Sequence, residues 1–405
     1  MSSAEVSLRQ VKEALLPKSR VLVVAPQPFY EDRGTPIAVC QLLKALSQLT
    51  YEVDVVTYPL GRTIEIPRVR YFRASNPFRV RRVPVGFSLA KLLLDATLVP
   101  ELVRRLSAGG YSCIHAVEEA AFPSVVLGQR FRVPVIYDMQ SSLPEQLAQH
   151  LAFRSGVVQS VLIRMERWLL RRADSIVSSA GLAQRVRALA PEARLREWQY
   201  AGMLPAASQE EAQALRRDLG IPPGRPVVLY SGTFEAYQGL PELLAAIPHV
   251  QAEVPDVTFV LVGADESGGT TVQRGHADLV RNGTLRVVRR QPREKIPSFL
   301  ALADVVVSPR AYGDNLPLKV FDYLSAGKPI VATDIPAHRA VLDESRALLT
   351  APWSPEIASA IVRLLKDRHL AGSLAAAGRA YAETRCGWFE FLRSVDDLYR
   401  EVGGG

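Results

Sequence analysis

Cysteine is scarce in this 405-residue chain: Cys40, Cys113 and Cys386 are odd in number and far apart. They suggest neither a disulfide framework nor a zinc site, and Cys113 is expected inside a buried strand. No run of about 18 uncharged apolar residues occurs, which excludes a readable membrane-spanning helix. The first residues, Met1 to Lys12, lack the apolar core of a signal peptide. A cytoplasmic chain, soluble or peripheral at the inner face of a membrane, is the expectation. There is no Asp-x-Asp triplet and no His/Asp cluster with ligand spacing, so neither a metal nor a resident cofactor is called for. Gly-x-Gly-x-x-Gly is missing after the first strand of either half, which removes the dinucleotide fingerprint of dehydrogenases. No lysine stands in a motif that would carry pyridoxal phosphate.

With 48% apolar and 22% charged residues the chain is an ordinary globular one, and its length asks for two or three domains. The formal charge of +8 is unevenly divided. Residues 1 to 200 hold 27 Lys and Arg against 17 Asp and Glu, whereas the remainder holds 22 against 24. Much of the excess lies in Arg68, Arg70, Arg73, Arg79, Arg81, Arg82 and Lys91, interleaved with Tyr71, Phe72, Phe78 and Phe87. Such a cluster suits an anionic bilayer surface or a phosphorylated acceptor, and equally a solvated loop and strand edge. No nucleic-acid motif accompanies it, so nucleic acid is not an expected partner.

Apolar β-branched runs alternate with helical segments twice along the chain, the pattern of an α/β fold with mainly parallel sheets. The first series comprises Arg20 to Ala25, Glu52 to Thr57, Ser112 to Ala116, Val133 to Asp138 and Asp174 to Ser178. The second comprises Pro226 to Ser231, Val257 to Val262, Leu285 to Val288, Ala303 to Ser308 and Pro329 to Ala332. Two doubly wound, Rossmann-like domains follow, over 1–200 and 201–385, with a junction at Arg196 to Pro205 and a terminal segment at 386–405. Helices are expected from Thr35 to Leu49 and from Gln159 to Arg172. Gly34 precedes Thr35 as N-cap and Pro36 at the first helical position, which suits close approach of a phosphate. The loop Gly232 to Leu240, with Thr233 and Gln238, stands at the equivalent place in the second series.

Ser308 to Thr333 is the most informative segment. A buried strand ends at Ser308, Pro317 fits the first position of a helix, and Gly327 with Pro329 ends it about three turns later. Amides near Leu318 and Lys319 and the Lys319 ammonium favour an anion in the preceding loop. Asp314 in that loop and Asp322 in the helix are hydroxyl acceptors. Phosphates at one end of a ligand and sugar hydroxyls around them would fit; an ordinary strand-loop-helix with solvated aspartates is the alternative.

Over nearly its whole length the chain resembles the retaining nucleotide-sugar glycosyltransferases of the family-4 type, with the GT-B fold. The match is strongest in Pro317-Leu318-Lys319-Val320-Phe321-Asp322-Tyr323-Leu324-Ser325-Ala326-Gly327-Lys328-Pro329, with support from Glu166 to Val177, Phe259 to Gly263 and Cys386 to Phe389. The resemblance implies two Rossmann-like domains facing across a cleft, donor side in the second, acceptor side in the first, and a C-terminal helix crossing back to the first. It implies a nucleotide-diphosphate sugar as co-substrate and a glycan or lipid-linked acceptor. Asp322 would hold the ribose hydroxyls; Asp314 and the amides after it, at Asn315, Leu316 and Leu318, would face the sugar and diphosphate.

Departures from the family pattern fall where basic residues are usual. Thr233 and Gln238 stand after the second domain's first strand, leaving Lys319, Arg310 and Arg289 to offset the diphosphate. Val117 stands where a histidine is common, next to His115, Glu118 and Glu119; Glu118, His115 and Asp138, the last at a strand's carboxyl end, are the catalytic-side candidates with Asp314. A GT-B sugar-nucleotide epimerase and a non-catalytic nucleotide-sugar-binding relative are the alternative readings.

Overall fold

The computed structural model describes residues 19–32, 34–83, 88–148, 153, 155–202, 204–312 and 317–403. Asp314, Asn315 and Leu316 lie outside the described residues. The chain divides into two compact units, Met1–Gln199 with Phe389–Gly405, and Tyr200–Trp388.

The first unit is a seven-stranded sheet in which β1 (Arg20–Ala25), β2 (Glu52–Thr57), β3 (Val69–Arg73), β4 (Tyr111–Val117), β5 (Val135–Met139), β6 (Ser175–Ser178) and β7 (Leu195–Glu197) are all parallel. Their spatial order is 3-2-1-4-5-6-7, so the direction of winding reverses between β1 and β4. Helices α1 (Gly34–Gln48), α2 (Leu89–Ala108), α3 (Ala121–Phe131), α4 (Leu143–Ala148), α5 (Gly156–Leu170) and α6 (Ala180–Leu189) connect the strands. The central strands are uninterrupted apolar runs because helices cover both faces of a parallel sheet; Val21, Leu22, Val23 and Val24 of β1 are fully buried.

The second unit repeats the plan with β8 (Val227–Ser231), β9 (Thr258–Ala264), β10 (Leu285–Arg289), β11 (Val305–Ser308), β12 (Ile330–Thr333) and β13 (Leu348–Thr350) in the order 10-9-8-11-12-13, again all parallel. Its helices are α7 (Gln209–Asp218), α8 (Leu240–Glu253), α9 (Glu266–Gly275), α10 (Ala277–Arg281), α11 (Ile296–Leu302), α12 (Lys319–Ser325), α13 (Pro336–Arg339), α14 (Ser354–Lys366) and α15 (Arg368–Arg385). The reversal lies between β8 and β11. In open α/β sheets the loops at such a reversal part to leave a crevice, and ligands bind there.

A last helix, α16 (Trp388–Gly403), packs within the first unit. Phe391, Leu392, Val395, Leu398 and Tyr399 are its buried face. Tyr399 lies against Tyr51 and His115, and Phe391 meets Trp198 edge-on. Among the described residues no helix is long and apolar enough to cross a membrane.

Two expected elements differ in detail. The helix after β11 begins at Lys319, with Leu318 as its cap, so it has seven residues rather than three turns from Pro317. Val320 and Phe321 donate to the Pro317 and Leu318 carbonyls, which makes the entry a tight turn. Helix α1 starts at Gly34, so Thr35 sits in its first turn instead of capping it.

Candidate functional site

In the second unit, the loops leaving β8 and β11 are stitched together at the reversal point. Gly239 has φ +71° and lies so close to Pro309 that an added Cβ would meet the Pro309 carbonyl oxygen at 1.7 Å. Ala311 donates its amide to the Tyr237 carbonyl at 3.0 Å, and the Arg310 guanidinium lies 5.1 Å above the Tyr237 ring. Arg310 is itself buried, its Nε donating to the Tyr312 carbonyl at 2.9 Å. The Tyr230 hydroxyl donates to the Thr233 carbonyl at 2.6 Å and fixes the turn after β8.

Lys319 reaches into this frame from the start of α12. Its Nζ stands 4.1 Å from the centre of the Tyr230 ring and donates to Gln238 Oε1 at 3.2 Å. An added Cβ at Gly232, where φ is +150°, would come within 3.3 Å of that Nζ and 3.0 Å of the Tyr230 hydroxyl, so glycine is needed there. Burial, and then the neighbouring Arg310 charge, push the Lys319 ammonium well below its usual range. Two basic side chains, Lys319 and Arg310, therefore share this buried corner, where their mutual repulsion favours an anion. The sequence candidates Gly232, Thr233, Gln238, Arg310 and Lys319 come together here, with Leu318 as the cap of α12.

Asp322 lies one turn along α12 and is buried. Its Oδ1 accepts from Arg293 Nη2 at 2.9 Å. Burial pushes its carboxyl up to about 6, while Arg293 holds it down. Sequence reasoning missed Arg293, which follows β10 among several arginines; nothing in its local pattern sets it apart. Arg289 stands exposed at the end of β10, two strands from β8. Tyr323 fixes α12 to β8 by accepting the Ser231 amide at 3.0 Å. Further back, His338 is fully buried, its Nδ1 2.7 Å from the Thr333 carbonyl and its Nε2 2.9 Å from Ser308 Oγ. Burial pushes it down to about 4, so it is a neutral tie between β11 and β12.

In the first unit, the residues after β4 form a carboxylate cluster. Glu118 has φ +52°, an unusual backbone state for a side chain other than glycine. Its carboxylate accepts from Ser141 Oγ at 2.8 and 2.9 Å. Burial and neighbouring Glu119 push it up to about 8. Glu119 pairs with Lys91 at 2.6 Å. Asp95, bonded to the Tyr58 hydroxyl, is pushed up to about 7 by burial and by Glu119. Asp95, Lys91, Tyr58 and Ser141 were invisible as a group because the cluster is assembled from α2 and the loops after β2, β4 and β5.

The structure brings His115 and Asp138 together. His115 Nε2 lies 3.4 Å from Asp138 Oδ2. Its Nδ1 lies 2.8 Å from the Tyr399 hydroxyl, and the ring is stacked between Trp198 and Tyr399 with no exposure. Asp138 is also buried, its two oxygens 3.0 Å from Gln140 Nε2. The pair is enclosed in the core and joins β4 and β5 to α16. Gly34 opens α1, and an added Cβ would meet no atom within 4 Å, so the surrounding protein does not demand glycine there.

The basic cluster is partly paired within the first unit. Arg68 pairs with Glu52, Arg70 with Asp54, and Lys91 with Glu119. Arg73 donates to the carbonyls of Tyr58, Leu60 and Phe29. Arg68 to Arg73 follow the edge strand β3, and the charges of Arg68 and Arg70 are matched internally; Phe78, Arg79, Arg81 and Arg82 are exposed. Among the described residues no group of three or more His, Cys, Asp or Glu is placed to hold a metal ion.

Two family models match the chain. One, described as a glycosyl transferase 4-like domain, covers residues 33–200; the other, glycosyl transferases group 1, covers residues 225–367. Phosphatidyl-myo-inositol mannosyltransferase of Mycolicibacterium smegmatis is 25% identical over 392 residues, 95% of this chain and 94% of that protein. Sucrose-phosphate synthase from Thermosynechococcus elongatus superimposes with a TM-score of 0.78 at 20% identity, over 96% of this chain and 100% of that one. Anabaena HepE, in complex with UDP and glucose, does so with a TM-score of 0.73 at 19% identity, over 94% and 99%. With one model on each Rossmann-like unit and relatives aligned from end to end, the chain belongs to the family-4 type of glycosyltransferases, with the GT-B fold.

Proposed function

We propose that this glycosyltransferase takes its sugar from a nucleotide-diphosphate donor and passes it to an acceptor hydroxyl with retention at the anomeric carbon. One observation carries the donor reading: the Lys319 ammonium and the Arg310 guanidinium are buried together at the β8–β11 reversal with Gly232, Gln238 and Tyr230 around them. A diphosphate brings negative charge to this pair, and charge-assisted hydrogen bonds in a desolvated site are the strong ones.

The charge on that diphosphate grows as the glycosidic bond breaks, so cations fixed beforehand stabilise the transition state more than the ground state. On an oxocarbenium-like path the leaving oxygen takes the acceptor proton on the same face, and no protein nucleophile is needed. Asp322, held by Arg293, accepts ribose hydroxyls, and Asp314 with the Asn315 and Leu316 amides faces the sugar. Glu118, a carboxyl held near neutrality, orients the acceptor hydroxyl from the first unit. The names of the relatives favour a lipid-linked or polyol acceptor such as an inositol derivative.

A thermal-shift screen over uridine, guanosine, adenosine and thymidine diphosphates and their sugars tests the donor. One diphosphate series should raise the melting temperature of the wild type and not of Lys319→Ala, since a ligand of the native state stabilises it by mass action. Stabilisation by none of them sinks the donor reading. Anomeric coupling constants of the product, read by proton NMR, decide retention against inversion.

A further inference from the structure

Helix α5 buries Leu162, Glu166, Leu169 and Leu170, and the Glu166 charge is matched by Arg185 at 2.7 Å. Its opposite side is unusual. Val157, Val161, Met165 and Trp168 recur at helical spacing and stand 76%, 47%, 42% and 38% exposed. Side chains at that spacing line one face of a helix, so they form a continuous apolar stripe. Arg164 and Arg167 run along its flank, both exposed, and Arg171 at its C-cap pairs with Glu192 at 2.9 Å.

The stripe continues onto the neighbouring helix. Phe122 of α3 stacks on Trp168 at 6.4 Å with the ring planes 5° apart, and Val126, one turn along α3, is 54% exposed. The Arg172 guanidinium covers Trp168 at 4.9 Å. No acidic side chain stands on the outward side of either α3 or α5. Single exposed apolar residues are ordinary, but a contiguous set flanked by exposed arginines such as Arg164 and Arg167 marks a binding surface.

We propose that this face of α5 and α3 seats the first unit on an anionic lipid bilayer. Apolar side chains on one side of a helix, with arginines beside them, enter the boundary between headgroups and acyl chains while the guanidinium groups meet lipid phosphates. A tryptophan held at that level is the side chain most at home there. A second copy of the chain fits less well, because a two-fold contact along α5 would bring Arg164 and Arg167 against the same arginines of the other copy. The surface also differs from the basic segment Arg68 to Lys91, in which Arg68, Arg70 and Lys91 are paired with acidic residues. The inference is independent of the donor chemistry.

Flotation of the full chain with vesicles of phosphatidylcholine, with or without phosphatidylglycerol, tests it. The protein should float with the anionic vesicles, weakly with the neutral ones, and less as salt rises. Val161→Asp with Met165→Asp should lower the bound fraction by about ten-fold or more, as expected when charge replaces the inserted apolar groups. Arg164→Ala with Arg167→Ala should remove most of the salt dependence, whereas Arg79→Ala with Arg81→Ala should leave binding near wild type. Brominated lipid should quench tryptophan fluorescence in the wild type and much less in Trp168→Phe, a reading that holds even if the aspartate variant folds poorly. A chain that stays with the soluble fraction in both vesicle types, quenching unchanged in Trp168→Phe, or a dimer by light scattering that the aspartates convert to monomer without altering flotation, would overturn the assignment. Sugar transfer to a water-soluble acceptor should stay near wild type in Arg164→Ala with Arg167→Ala and in Trp168→Phe, which separates membrane seating from the catalytic reading.

Discussion

Lys319 is the residue on which the donor site turns. Its ammonium loses its proton more easily than an exposed lysine because burial and Arg310 both disfavour the charge. An anionic ligand reverses that preference, so binding of a nucleoside diphosphate should draw in a proton and weaken as pH rises. Calorimetry in two buffers of different ionisation enthalpy measures this: the apparent enthalpies should differ for wild type and coincide for Lys319→Arg, whose guanidinium stays charged. Lys319→Ala should cut transfer at least about ten-fold by loss of a charge-assisted contact. Asp322 tests the opposite sign. Its folded carboxyl, near 6, lies above the unfolded value of 3.8, so its contribution to stability is complete below that value and is lost as pH rises through 6. The loss is of order 2–3 kcal/mol. Asp322→Asn should flatten the unfolding free energy over that interval, as denaturant titrations would show. At this scale the sequence made Lys319 and Asp322 legible, because both stand in a dense local motif. It did not make Arg293, Asp95 or the role of Lys91 legible, since these meet their partners only through tertiary folding.

Among the elements, the buried parallel strands were readable and three edge strands were not. The former are apolar runs forced by helices on both faces. By contrast β3, β7 and β13 are short and only partly buried at sheet edges, so they carry no comparable pattern. The turn between β8 and α8 shows how narrowly an element's position can be set. Gly239 has left-handed backbone and touches Pro309, so Gly239→Ala adds both strain and a clash. That variant should fold with lower stability and lose the nucleotide-induced thermal shift, because the β8 and β11 loops no longer close on each other.

For the whole molecule, α16 matters most. Five buried side chains on it contribute about 1.5–3 kcal/mol each as an upper bound, comparable with the 5–15 kcal/mol that usually holds a domain. A chain ending before Trp388 should therefore lose protection from hydrogen exchange throughout the first unit and keep it in β8 to β12. Tyr399→Phe, a milder change, leaves His115 without one partner and should cost about 1–3 kcal/mol, read as a lower denaturant midpoint.

The same helix sets a schedule. The first unit needs residues from both ends of the chain, and residues 200–388 separate them. At about 5–20 residues per second of synthesis, β1 to β7 wait roughly 10–40 s for α16 to emerge. During that interval His115, Trp198 and the apolar ends of β4 and β5 lack their cover. In the cell, the hazard of misassembly thus falls on the first unit, and synthesis of α16 ends it.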